Sequence, residues 1–203
     1  MYKYTEIFNA NLVHDAVAKG HPTPSVVYFH VGTHLLHLHP VRAMTKETFE
    51  HLHNHVNDLE DVFADYRRAA PLAQLNVMTT FSICDSKFSS SWSKIAQASR
   101  ENLGKAAEPC VNAMFAQGFG EDIGEDATKM ICERTFFTRA GSMYIREQVE
   151  KAVLHWKGTS GHRPLIVDMF QLTDGNCDKT SDGRHYDVMV LQQLDKLFTV
   201  NGW

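Results

Sequence analysis

The stretch Ser25-Val-Val-Tyr-Phe-His-Val-Gly32 consists almost entirely of β-branched and aromatic residues. Such a run predicts a strand that is covered on both faces, as the strands of a parallel sheet are. Apolar residues at helical spacing precede it over residues 5–19, and they follow it from Thr45 to Tyr66. This first strand is therefore predicted to lie between two amphipathic helices.

The same alternation continues to the end of the chain. Two further strands are predicted at residues 74–83 and 164–170, and three further helices at residues 92–103, 143–156 and 185–198. Between Gly104 and Arg139, Pro109 and three glycines break the helical pattern, and we interpret this segment as an irregular insertion of short helical pieces. The last helix carries an apolar stripe, formed by Val188, Leu191, Leu194 and Leu197.

This order of elements predicts one α/β domain over residues 1–203, with a mostly parallel sheet in a three-layer α/β/α arrangement. Ligand sites of such sheets lie beyond the carboxyl ends of the strands.

Charge and hydropathy restrict the partners of such a domain. A net charge of −4 gives no electrostatic footprint for nucleic acid. No window approaches the roughly 18 to 20 apolar residues that a membrane span requires, and residues 1–20 are too polar for a signal peptide.

Four cysteines are present, and none belongs to a Cys-x-x-Cys motif: Cys84, Cys110, Cys132 and Cys177. Their spacing favours neither a zinc knuckle nor a redox dithiol. We expect buried free thiols, with one or two disulfides as the alternative if a longer form of the protein enters the secretory route.

The segment Thr180-Ser-Asp-Gly-Arg-His-Tyr186 lies between the last predicted strand and the last predicted helix. Its spacing can bring the carboxylate of Asp182 close to a ring nitrogen of His185. A carboxylate in that place fixes the imidazole tautomer and stabilises the protonated ring, so that the other nitrogen can accept a proton from a hydroxyl nucleophile. The alternative is a capped helix start with a histidine on the surface.

Together, Leu165-Ile-Val-Asp-Met-Phe170 and the segment that ends at Tyr186 resemble the C-terminal block of the SGNH hydrolases and the related PC-esterase group. The resemblance covers the chain from about Ser25 to the C-terminus. It implies a flavodoxin-like sheet and an esterase or acyltransferase activity on O-acetyl-type esters of a small molecule, carbohydrate or lipid, with no cofactor. His185 would be the general base and Asp182 its orienter. Members of this group are commonly secretory or Golgi-resident, whereas the sequence itself assigns no compartment.

A second match lies at the end of the first strand, in His30-Val-Gly-Thr-His34. SGNH enzymes typically end this strand in Gly-x-Asn-Asp, and PC-esterase-like branches have patterns such as Asn-x-Gly-x-His. By this resemblance, Gly32 would let the backbone approach a developing oxyanion, and the imidazole N–H of His34 would replace the amide of the asparagine. The alternative is a strand-ending glycine beside partly buried histidines.

The Gly-Asp-Ser block that carries the nucleophile in the resembling family has no counterpart before the strand at Ser25. The sequence Cys84-Asp85-Ser86 partly matches that block, which makes Ser86 the candidate substitute. However, a cysteine replaces the glycine of the tight turn, and Asp85 with the serines at 89–91 is better explained as a cap for the next helix. We therefore expect a truncated or inactive form of the domain, in which the N-terminal strand or strands of the sheet are lacking.

Two other classes of function stay open. A non-catalytic α/β binding module would need no nucleophile. A divalent metal site would use some of the twelve histidines, among which His-x-His spacings occur at His37 and His39 and at residues 51–55. Successive members of the second group point about 200° apart on a helix, which favours a solvated helix face. The pair His37 and His39 is the candidate for a metal-dependent hydrolase. Otherwise we predict no metal ion.

Overall fold

The computed structural model describes residues 11–32, 36, 55–87, 103–134, 138–156 and 163–202. Within these ranges, one or more helices separate each strand from the next. In chain order they are α1 (Asn11–Ala18), β1 (Val26–His30), α2 (His55–Ala69), β2 (Gln74–Met78), α3 (Leu103–Ala116), α4 (Phe119–Ile123), α5 (Glu125–Arg134), α6 (Arg139–His155), β3 (Leu165–Val167), α7 (Met169–Thr173) and α8 (Val190–Thr199). Single turns of 3-10 helix lie at Asp85–Lys87, Cys177–Lys179 and Asp187–Met189.

The three strands form one parallel sheet in the order β1-β2-β3. His30 pairs with Met78, and Met78 pairs in turn with Val167. All three strands therefore end at the same edge of the sheet, which is the edge where ligand sites of parallel sheets are found. The general α/β class that the sequence predicts is confirmed.

One face of the sheet carries the main hydrophobic core. Phe29 and Val77 are neighbours on adjacent strands, and both are almost completely buried. The ring of Phe29 lies 5.5 Å from the rings of Phe63 and Tyr66, which belong to α2. Burying a side chain of this size stabilises a fold by roughly 1.5–3 kcal/mol. Residues of α6 complete this side of the cluster: Tyr144, Ile145, Val149, Ala152 and Val153.

The opposite face of the sheet is contacted by the C-terminal residues. The hydroxyl of Tyr28 donates a hydrogen bond to the carbonyl oxygen of Leu197 at 3.1 Å. The side-chain amide of Asn76 donates to the side-chain oxygen of Asn201 at 3.0 Å, and Asn76 is fully buried. These contacts fasten the end of α8 to β1 and β2.

The last helix differs from the prediction in its start and in its packing. α8 begins at Val190 and not at His185, because the N–H groups ahead of it bond to a side-chain carboxylate instead of entering a helix. The predicted apolar stripe is largely in solvent, since Leu191 is 79% exposed and Leu194 is 42% exposed. Polar contacts of its last turn, and not burial of the stripe, therefore attach α8 to the sheet.

Residues 103–134 form three regular helices where the sequence predicts an irregular insertion. The breaks fall at Gly118 and Gly124, whose φ angles of 83° and 85° are in the left-handed region that glycine adopts without steric cost. Pro109 lies inside α3 on an exposed position, where water can bond to the backbone carbonyl that loses its partner. The three helices share a second small core of Ala107, Cys110, Met114, Ile131 and Cys132.

Two predicted strands are longer in the sequence pattern than in the structure. β2 ends at Met78. Thr79 N–H still donates to the carbonyl oxygen of Val167 in β3 at 3.0 Å, and residues 80–84 continue outside the strand. β3 ends at Val167 because the carboxylate of Asp168 accepts the N–H of Gln171 at 3.0 Å and caps α7. The apolar residues that follow Asp168 are therefore helical.

All four cysteines are paired. Cys84 is bonded to Cys177, and Cys110 is bonded to Cys132, with Cα–Cα distances of 5.5 and 5.8 Å. The expectation of free thiols was wrong, because the first pair is 93 residues apart in sequence and its proximity depends on the tertiary fold. Disulfides form and persist mainly in oxidising compartments.

Some predicted helices fall partly or wholly outside the described residues. The helix at 92–103 does so except for Leu103, and the helix that begins at Thr45 is described only from His55 onward. Of the helix expected at residues 5–19, the structure describes Asn11–Ala18 as α1, and residues 5–10 lie outside the described residues. Among the helices in the described ranges, none is long and apolar enough to cross a bilayer.

Candidate active site

The site is built on the turn from Thr180 to Tyr186, which lies beyond the end of β3. Gly183 in this turn has a φ of 85°, a conformation that a side chain would strain. Its N–H donates to the hydroxyl of Thr180 at 3.0 Å, and its carbonyl oxygen accepts the N–H of Cys84 at 2.8 Å. The turn is therefore closed on itself and fixed to the segment that follows β2.

Asp182 and His185 meet inside this turn. Oδ2 of Asp182 lies 2.5 Å from Nδ1 of His185. The other carboxylate oxygen accepts the backbone N–H groups of Arg184 and His185 at 3.0 and 2.9 Å. The sequence prediction that this carboxylate reaches this imidazole therefore has direct geometric support.

The environment of Asp182 keeps its carboxyl group ionised. Partial burial raises the pKa of Asp182, but the N–H groups of His185 and Arg184 and the His185 ring lower it by more. The resulting pKa lies well below the ordinary value of 3.8. A permanently ionised carboxylate holds the proton of the neutral imidazole on Nδ1, which makes Nε2 the proton-accepting atom.

The His185 side chain is 58% exposed and borders a cavity of about 390 Å³. Within the described part of the chain, its ring makes its hydrogen bond to Asp182 alone. Nε2 is thus open to a bound ligand. The other residues that line the cavity are Lys87, Asp178, Lys179, Thr180, Ser181, Asp187 and Val188.

The buried side chain of Tyr186 anchors the turn next to the catalytic candidate His185. It is 2% exposed, and its hydroxyl donates to the carbonyl oxygen of Ser82 at 2.8 Å. Burial, followed by the nearby carboxylates of Asp174 and Asp182, raises the pKa of Tyr186 to about 12. The sequence places Tyr186 after the histidine but does not reveal its partner, which comes from the segment after β2.

Asp174 provides a second support that the sequence did not indicate. Its carboxylate accepts two hydrogen bonds from the guanidinium of Arg139, at 2.7 and 2.6 Å, and a third from the hydroxyl of Ser82 at 2.9 Å. The bonds from Arg139 are the main reason that the pKa of Asp174 is lowered. The carbonyl oxygen of the same Ser82 accepts the hydrogen bond from the Tyr186 hydroxyl. One hydrogen-bond network therefore connects α6, the segment after β2 and the turn.

Of the two predicted oxyanion residues, Gly32 lies at the same edge of the sheet. Gly32 follows β1 and is partly buried, whereas His34 is outside the described residues. The ring of His30 lies 5.4 Å from that of Phe81, which lies 6.0 Å from that of Tyr186. A line of ring contacts therefore connects the end of β1 with the turn, and the oxyanion role of Gly32 and His34 stays a prediction.

Ser86 does not contact the His185 ring within the described residues. It lies in the 3-10 turn after β2, and its hydroxyl contacts Sγ of Cys84 at 3.2 Å. The carboxylate of Asp85 accepts the N–H of Arg139 at 3.0 Å, so it contacts the start of α6. The helix that Asp85 was expected to cap lies outside the described residues.

The histidines proposed for a metal site, His37 and His39, also lie outside the described residues, as do His51 and His53. In the part of the chain that the structure describes, no group of three or more His, Cys, Asp or Glu side chains could hold a metal ion.

Comparisons with protein-family models, curated proteins and solved structures found no match to this chain.

Proposed function

We propose that this chain carries the acid-base half of an SGNH or PC-esterase-like active site, which acts on esters of the O-acetyl type. The observation behind the proposal is the 2.5 Å contact between Asp182 and His185 at the carboxyl edge of a parallel sheet. His185 is the general base, and Asp182 is its orienter.

The chemistry follows from the two ring nitrogens. The N–H at Nδ1 of His185 donates a hydrogen bond to the carboxylate of Asp182 and keeps its proton, while Nε2 takes a proton from a hydroxyl nucleophile or from water as the ester carbonyl is attacked. The ionised carboxylate stabilises the imidazolium that forms. The protonated ring then returns its proton to the leaving group, so that the base is regenerated.

The finer fold prediction, a three-layer SGNH-type domain, also belongs to this proposal. It is supported by the parallel order β1-β2-β3 and by the position of the turn after the last strand. Helices α2 and α6 contribute to the core on one face of the sheet. On the other face, Leu197 of α8 contacts Tyr28, and Asn201, which follows α8, contacts Asn76.

Among the described residues, no side chain supplies a nucleophile to the imidazole. The sequence contains no Gly-Asp-Ser, and the hydroxyl of the substitute candidate Ser86 contacts a cysteine sulfur instead of the imidazole. In this form, we therefore expect cleavage that is weak and limited to base-assisted attack by water or by the imidazole itself. Within the described residues β1 is an outermost strand, and this is the side on which the resembling family places its nucleophile strand.

The cavity beside His185 supports a polar substrate. Its lining consists of charged and hydroxyl-bearing side chains together with the imidazole, and Val188 is the apolar exception. Polar walls of this kind suit the many hydroxyl groups of a carbohydrate ester better than a lipid acyl chain.

A second candidate is a non-catalytic α/β binding module. It is favoured by one observation, namely that no described hydroxyl group bonds to the His185 ring. The same cavity would then hold a polar ligand without cleaving it.

The test is cleavage of a short-chain acyl ester by the full chain and by three variants. We expect slow cleavage by the unchanged protein, loss of that cleavage in His185→Ala, and a decrease of about tenfold or more in Asp182→Asn. His155→Ala, which removes an exposed histidine at the end of α6, is the matched control and should change nothing.

Two results would contradict the proposal in different ways. Equal rates of ester cleavage for the unchanged protein and for His185→Ala would show that His185 is not a general base, and they would favour the binding module. Turnover at the roughly 1–1000 s⁻¹ of ordinary enzymes, lost in His185→Ala, would keep the base but refute the missing nucleophile.

A further inference from the structure

The turn that carries the dyad is attached to the segment after β2 by three links. The N–H of Cys84 donates a hydrogen bond to the carbonyl oxygen of Gly183 at 2.8 Å. The hydroxyl of Tyr186 donates a hydrogen bond to the carbonyl oxygen of Ser82, also at 2.8 Å. The third link is the disulfide between Cys84 and Cys177. This link is covalent, and it holds Cys177, which lies between α7 and the turn. The two hydrogen bonds hold residues of the turn itself.

That stretch, residues 175–179, has few other attachments, and its bonds to α7 are those that Asn176 donates to the carbonyl oxygens of Leu172 and Thr173. Its regular structure is one turn of 3-10 helix, in which Lys179 N–H donates to the carbonyl of Asn176 at 2.9 Å. Asp178 and Lys179 pair with each other on the surface, with side chains that are 68% and 51% exposed. Segments with few buried contacts open locally at low free-energy cost. Here the disulfide counteracts such opening.

We propose that the Cys84–Cys177 disulfide is a redox-sensitive clamp on the Asp182–His185 dyad, so that reduction of this bond releases the turn and dissolves the dyad. The consequence for catalysis rests on the proposed ester chemistry. The effect on the geometry of the turn does not depend on that chemistry.

The exposure of the two cysteines decides how a reductant would act. Cys84 is 2% exposed, whereas Cys177 is partly exposed, so a dithiol reductant reaches Sγ of Cys177. Its thiolate forms a mixed disulfide with Cys177 as the protein S–S bond breaks, and the Cys84 thiolate leaves and takes up a proton. The second thiol of the reductant then displaces Cys177, so that two electrons and two protons pass to the protein and the reductant becomes a disulfide.

The other disulfide is a control that the molecule itself provides. Cys110 and Cys132 are 2% and 0% exposed, and they connect α3 with α5 inside the second small core. The bonds that hold the turn come instead from Ser82 and Cys84, in the segment after β2. Removal of the Cys110–Cys132 disulfide should therefore lower the stability of the helical insertion without releasing the dyad.

The test is amide hydrogen exchange measured residue by residue by NMR, at Arg184 and His185, whose N–H groups bond to Asp182. The oxidised protein is compared with the protein reduced by dithiothreitol, with the double variant Cys84→Ser and Cys177→Ser, and with the double variant Cys110→Ser and Cys132→Ser. Val77, a buried residue of β2, reports on global opening.

We expect exchange at Arg184 and His185 to become about tenfold faster or more when the clamp is reduced or removed, with Val77 changed by less than about twofold. The second double variant should leave both turn amides unchanged. If the double variant Cys84→Ser and Cys177→Ser also exchanges faster at Val77, the turn amides are measured instead in protein whose Cys84–Cys177 bond has been reduced by dithiothreitol. Mass spectrometry then checks that the Cys110–Cys132 disulfide of that sample is intact.

Unchanged exchange at the turn in both clamp-opened forms would overturn the inference, as would equal acceleration in the second double variant. Ester cleavage separates this inference from the proposed function. Faster exchange together with cleavage that does not depend on His185 would refute the ester chemistry and leave the clamp in place.

Discussion

The hydroxyl of Tyr186 donates a hydrogen bond of 2.8 Å to the carbonyl oxygen of Ser82, a residue that is 104 positions earlier in the chain. The bond is buried, and it joins the turn after β3 to the segment after β2. Since Tyr186 is adjacent to His185, its position also sets where the imidazole stands at the edge of the sheet.

Replacing Tyr186 by phenylalanine leaves the buried carbonyl of Ser82 without this donor. We expect the free energy of unfolding to fall by about 1–3 kcal/mol, as measured by urea denaturation. Tyr28→Phe is the matched control, because the Tyr28 hydroxyl is exposed where it bonds to Leu197, and it should cost less than about 1 kcal/mol. Equal losses in the two variants would contradict the anchoring role of Tyr186.

Acid should destabilise the protein through its bonded carboxylates. The Arg139 guanidinium lowers the pKa of Asp174, and although burial raises the pKa of Asp168, Arg146 and the N–H of Gln171 lower it by more. A carboxyl whose pKa is depressed in the folded state stabilises the fold above its unfolded value, here 3.8, and loses that contribution as the pH falls through the folded value.

The urea midpoint should therefore be steady above about pH 5 and decline below pH 4. Asp174→Asn should lower the midpoint at pH 7 and flatten its decline in acid. A variant whose acid decline is as steep as that of the unchanged protein would show that Asp174 is not among the groups responsible.

The disulfides lead to a prediction about thiols. The protein purified without reductant and unfolded in guanidinium should show no reactive thiol, because all four cysteines are paired. Replacing Cys110 and Cys132 by serine should lower stability by about 2–4 kcal/mol, since the unfolded chain loses a cross-link. Detection of four thiols in the unreduced protein would contradict both pairings.

Several features could be predicted because they depend on local sequence. The run that ends at Gly32 specifies a strand, and five of its residues, Val26–His30, pair with β2 within one register. The expectation that both faces of this strand are covered was wrong, because Tyr28 is 36% exposed. The spacing of Asp182 and His185 is short enough for a single turn to bring them together, so the contact did not require knowledge of the rest of the fold. Helix breaks at Gly118 and Gly124 also match the sequence, because each glycine has a positive φ.

Other features could not be predicted because they depend on residues far apart in the chain. The partner of Cys84 is 93 residues away, and the partner of the Tyr186 hydroxyl is 104 residues away. The end of β3 was misplaced for a different reason. An aspartate between apolar residues can continue a strand or cap a helix, and the bond from Gln171 to Asp168 decides for the helix.

The most direct test of the central claim is the tautomer of neutral His185, read from its ring nitrogen shifts by NMR above the pH at which the ring is protonated. We expect a proton on Nδ1, held by the Asp182 carboxylate 2.5 Å away, and an unprotonated Nε2. Asp182→Ala should shift the ring toward a mixture of the two tautomers. A neutral ring that carries its proton on Nε2 in the unchanged protein would contradict the assignment of His185 as a base oriented by Asp182.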